Sequence, residues 1–196
     1  ILTVNDGAHL TISMSGSSAA PTSDRIVIAE SATATITLNG VKIKAPQQTS
    51  AVDLSSGSKL TLILLTGSES SLVGGTWDNT DLTSSGSAGI HVPNGAELHI
   101  KCSQDGDQHT CSDTSCGKLS VKGETYSAGI GGSQSESCGT VIIDGGVVTA
   151  TGGISAAGIG GGDHGSGGDI TINGGIVTAA AGNWGGAAGI GGAGEG

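Results

Sequence analysis

The strongest constraint on this chain is a repeat. Ala128-Gly129-Ile130-Gly131-Gly132 returns as Ala157-Gly158-Ile159-Gly160-Gly161 and again as Ala188-Gly189-Ile190-Gly191-Gly192, at spacings of 29 and 31 residues. The stretches between these marks repeat too: Gly139-Thr140-Val141-Ile142-Ile143-Asp144-Gly145-Gly146-Val147-Val148-Thr149-Ala150 matches residues 168–179 position by position. Each unit offers three short β runs divided by glycine corners. Such a unit cannot bury its apolar side alone, so neighbours must stack. The expected fold is an all-β parallel β-solenoid, with about three short strands per coil and six to seven coils.

The rest of the chain reads as degenerate copies in a single domain covering 1–196. Residues 1–87 hold irregular coils with an insertion at 74–86. Residues 88–127 hold a coil with a cysteine-rich insertion at 102–117, and 128–196 the regular glycine-rich coils, truncated at the end. The alternation through Ile90-His91-Val92 and Leu98-His99-Ile100 places the aliphatic side chains inside and both histidines outside. Asn39-Gly40, Asp144-Gly145 and Asn173-Gly174 all fall between the second and third strands of their coils. They are expected to stack as one column of turn residues tolerant of the left-handed conformation.

Composition narrows the function. There are 38 glycines, no phenylalanine, two tryptophans and one tyrosine, so small β-branched residues must fill a narrow interior. The formal charge is -10, and every Lys and Arg lies between Arg25 and Lys122. Nucleic-acid binding needs clustered bases, which are missing. No apolar run approaches a membrane-spanning length, so no membrane insertion is expected. The chain opens at Ile1, without Met or a signal peptide, and reads as a mature or excised piece.

Four cysteines, Cys102, Cys111, Cys116 and Cys138, suggest two disulfides tying the exposed loop to the solenoid in an oxidising compartment. Their spacing lacks the paired knuckles of a zinc site. Asp105, Asp107 and Asp113 are weak calcium candidates that miss the usual register of such loops. No cofactor is indicated. The acids are scattered rather than paired for glycoside hydrolysis, and no serine or cysteine has a recognisable base beside it. The expectation is a protein that is not an enzyme. Trp77, Tyr126 and Trp184 each precede an Ala-Gly-Ile or equivalent opening and so map to one corner, where they could lid their own loops, contact glycans or contact another protein.

The motif Ala-Gly-Ile-Gly-Gly-Gly followed by Gly-Asp-Ile-Thr-Ile-Asn-Gly-Gly-Ile-Val-Thr-Ala resembles glycine-rich repeats of large microbial cell-surface proteins of adhesin-like or carbohydrate-binding-domain type. The resemblance is good over 88–196 and loose over 1–87. It implies a secreted or surface-attached β-helix and offers no catalytic residues to carry over. Two functions follow as expectations. One is an extracellular structural element: a segment or subunit of a stalk, coat or filament that associates with itself or with neighbouring coils. The other is a glycan-binding module using the aromatic corner.

Overall fold

The computed structural model describes residues 1–14, 20–76, 86–103 and 115–194. Eighteen strands among them form three parallel sheets. Sheet A has seven strands, from Leu2–Val4 to Ile190–Gly191; sheet B has six, from His9–Ser13 to Asp169–Ile172; sheet C has five, from Lys42–Lys44 to Ile176–Ala180. The five coils that open at Ile26, Val52, Ile90, Ile130 and Ile159 each contribute one strand per sheet; among the described residues the first coil adds strands to sheets A and B and the last to sheet A alone. The coil with Val52–Leu54 in sheet A, for example, continues through Lys59–Leu64 in sheet B and Glu69–Val73 in sheet C. Every strand pairs only with its counterparts one coil before and after, so six coils and the opening of a seventh are stacked in sequence order.

Alternating residue types produce alternating burial. Thr33–Asn39 turns Ala34, Ile36 and Leu38 inward and its threonines outward, and Lys59–Leu64 does the same with three leucines. Because strands pair in parallel register, like residues sit above one another. Leu10, Ile36, Leu62, Ile100, Ile143 and Ile172 make one interior column of sheet B. Leu2, Ile26, Val52, Ile90, Ile130, Ile159 and Ile190 make the corresponding column of sheet A. In mid-stack these side chains are fully buried, each worth about 1.5–3 kcal/mol of hydrophobic stabilisation. The inside and outside assignments for Ile90, Val92, Leu98 and Ile100 hold, all four being 0% exposed.

The coils differ in width. Sheet-B strands run for seven, six and six residues in Thr33–Asn39, Lys59–Leu64 and Glu97–Cys102, then for four in Thr140–Ile143 and Asp169–Ile172. This corrects the expected turn column. Asp144 and Asn173 follow Ile143 and Ile172, which share the register of Ile36. Asn39 lies two positions further along and pairs with Ser13. The left-handed backbone falls on Gly40, Gly146 and Gly175, not on Asn39, Asp144 or Asn173.

Candidate functional site

The outward face of sheet A carries a line of charge. Arg25 stands just before Ile26–Ile28, Asp53 at the centre of Val52–Leu54, and His91 in Ile90–His91, directly above Asp53. The Arg25 guanidinium donates through Nη2 to Asp53 Oδ2 at 3.0 Å, and His91 Nδ1 lies 2.8 Å from Asp53 Oδ1. His91 Nε2 lies 2.8 Å from Glu136 Oε2, on the turn that follows Ile130–Gly131. The Ser133 amide donates to the same Glu136 oxygen at 3.1 Å. Arg25 and His91 keep only 18% and 17% of their side-chain surface exposed. Arg25 Nε is buried and has no hydrogen-bond partner among the described residues.

Burial alone would lower the His91 pKa, but the hydrogen bonds and charges of Asp53 and Glu136 outweigh it and raise it to about 9. Glu136 is held below the usual carboxylate range, chiefly by its hydrogen bond from His91. Both ring nitrogens are engaged by carboxylates, which leaves neither to take a proton from a substrate.

A second cluster lies on sheet B. His99 Nε2 is 2.5 Å from Asp144 Oδ2, Asn173 Nδ2 donates to Asp144 Oδ1 at 2.8 Å, and Lys101 Nζ is 3.8 Å from Oδ2. Burial pushes the Asp144 carboxyl up, but these three partners together bring it below its ordinary value.

The cysteines depart from the expected two disulfides. Cys102 and Cys138 are buried thiols, each 3% exposed, and neither forms a disulfide. Cys102 closes the inward alternation of Glu97–Cys102, above Leu64. Cys138 sits in the main core, where burial pushes its thiol up to about 12 and keeps it an inert hydrophobe. Cys116 is disulfide-bonded and packs with Cys102 and Val147; Cys111 lies outside the described residues. So do Asp105, Asp107, Asp113 and Trp77.

Tyr126 and Trp184 do share a corner. The Tyr126 amide donates to the Ile154 carbonyl and the Ser155 amide to the Asn183 carbonyl, so Tyr126, Ser155 and Trp184 occupy equivalent positions in successive coils. All three have left-handed backbones, with φ of 65, 56 and 77°. Trp184 is 83% exposed, and Ile154 beside it 41%. A groove along this corner is lined by Lys122, Glu124, Thr125, Thr151 and Asn183 over a glycine floor.

Sequence reading missed the charged line because its members are separated by 28, 38 and 45 residues. The signal was available in one form. Aligning the coils on Ile26, Val52 and Ile90 puts Val27, Asp53 and His91 in one outward column.

A family model described as a β-helix repeat matches residues 141–163 and 170–194. Both segments lie in the regular coils, and three parallel sheets stacked in sequence order extend the same pattern through the described chain. The fold is a parallel β-helix. No curated protein and no solved structure matches the chain. Among the described residues, no helix is long and apolar enough to cross a membrane.

Proposed function

We propose that this β-helix is a non-enzymatic extracellular structural element, a segment or subunit of a surface stalk, coat or filament. The observation that carries the reading is the direction of its ladders. In all three sheets the hydrogen bonds run from coil to coil along one axis, so each coil adds a fixed rise of about 4.8 Å and the stack works as a spacer. The outward charges support this use: they are spent on pairing one coil with the next instead of converging on a cleft. The extracellular assignment rests on the β-helix repeat, an architecture common in secreted and surface proteins.

Self-association belongs to the same proposal. A repeat unit whose inner face is buried only by stacking on a neighbour supports association of coil on coil. Electron microscopy of the native assembly should show rods or fibres; isolated compact particles would count against the reading.

One observation favours a second reading, glycan binding. Trp184 keeps 83% of its surface exposed on this left-handed corner, where a lid over its own loop would bury the ring. A flat ring beside hydroxyl, amide and carboxylate groups suits stacking on a sugar face. Trp184→Ala should abolish binding on a glycan array; undiminished binding would remove this corner as the site.

A further inference from the structure

The line Arg25, Asp53, His91, Glu136 alternates plus, minus, plus, minus across four successive coils. Its last step has a separate character. Arg25, Asp53 and His91 belong to the irregular coils, and Glu136 belongs to the first of the glycine-rich ones. The residue above His91 in sheet A is Gly131, which has no side chain to shield the ring. That gap is where Glu136 reaches, held by the Ser133 amide and by its own amide bonded to the Ser133 carbonyl at 3.0 Å.

The paired contacts suit one protonation state. Ionised carboxylate oxygens only accept, and both imidazole nitrogens are 2.8 Å from one. With both carboxylates ionised, both nitrogens donate and His91 is an imidazolium. A neutral ring has one N–H and would leave one carboxylate facing a lone pair. Protonating Glu136 would likewise remove the charge from the junction.

We propose that this line of charge is a pH-dependent clasp that fastens the glycine-rich coils to the coils before them, closed while His91 carries both ring protons and Glu136 carries none. The groups facing His91 are Asp53 from Val52–Leu54 and Glu136 from the turn after Ile130–Gly131, with Arg25 one step beyond on Asp53. The segment bridged to Pro93 brings Cys138, whose buried thiol stays protonated over this range.

The direction of the effect follows from linkage. The His91 pKa is raised from 6.5 to about 9, so its contribution is complete below 6.5, fades as pH climbs, and is gone above about 9. The Glu136 pKa is lowered from 4.5, so its contribution is present above 4.5 and is lost as pH falls below it.

The test is ring-labelled histidine NMR on the full chain. His91 should titrate with a midpoint near 9, and Glu136→Gln should move that midpoint down by about one unit or more. Asp144→Asn, on the other cluster, should leave it in place. In amide exchange corrected for intrinsic rates, the wild type should lose about tenfold or more of its protection between pH 7 and 10 at Ile90 and Val92, whose amides donate across the junction to the Gly129 and Gly131 carbonyls. Glu136→Gln should begin lower and change less. A wild-type midpoint near 6.5 would overturn the clasp, as would a midpoint that Glu136→Gln does not move or protection at Ile90 and Val92 independent of pH.

Discussion

The coils of residues 20–122 and those of residues 128–194 share one topology but are held together by different means. The earlier coils are wide and rich in leucine, with Leu38, Leu60, Leu62, Leu64, Leu72 and Leu98 all buried. Among the described residues, each ion pair between side chains that crosses coils takes its cation from this part of the chain, from Arg25 to Lys118. The later coils have no Lys or Arg and a smaller core of Ile, Val and Ala. Close approach of backbone, present in the earlier coils at Gly75 and Gly117, becomes the main device there: a Cβ on Gly131, Gly160, Gly162 or Gly182 would run into a carbonyl of a neighbouring coil. The same ladder thus relies on paired side chains and close backbone in one region and on close backbone without those charge pairs in the other.

That contrast can be broken at its strongest points first. Leu62→Ala removes a side chain from the middle of the sheet-B column and should cost about 2–5 kcal/mol in chemical denaturation. The counterpart is Gly160→Ala, where φ is 137° and the Gly191 carbonyl blocks the new methyl. It should cost about 3 kcal/mol through strain and displaced backbone. Gly186→Ala is the control, because nothing lies within 4 Å of its added methyl and its φ is not left-handed. It should be neutral or stabilising by about 0.4–1 kcal/mol. Equal losses at Gly160 and Gly186 would dissolve the distinction between the two regions.

Acid unfolding sharpens the boundary. Asp144 and Glu136 both have lowered pKa values, so they stabilise the fold above their ordinary values of 3.8 and 4.5 and lose that contribution as pH falls. Both sit in the first glycine-rich coil and bind histidines of the coil before it. Asp144→Asn should cost about 1 kcal/mol at pH 7 and make the stability curve below pH 4 less steep, as followed by denaturation at a series of pH values. The smallest effect belongs to Lys59→Ala. Its pair with Glu97 is exposed, 59% on the lysine side, and should be worth about 0–1 kcal/mol, a shift measurable only as a small change in denaturation midpoint.

The repeat made the solenoid, its coil count and its inward columns legible, because β alternation and glycine corners are local signals. Contacts between coils were less legible. The steps from Val52 to Ile90 and from Ile90 to Ile130 are 38 and 40 residues, against 29 for the regular coil from Ile130 to Ile159. The insertions in those long steps hide the register that brings Asp53 under His91. The expected turn column fails for a related reason. Sheet-B strands shorten by two residues after Glu97–Cys102, and a shared place between strands does not ensure a shared rung. An oxidising compartment suggests disulfides, yet the alternation Leu98, Ile100, Cys102 already points Cys102 inward. Interior packing accounts for the burial of Cys102 and Cys138.

The proposed role requires the chain to be a stack of fixed rise. X-ray fibre diffraction from aligned native material tests this most directly. It should give a reflection near 4.8 Å along the long axis, because the strands lie across that axis and repeat once per coil. A reflection of that spacing perpendicular to the axis, or none, would contradict the spacer function.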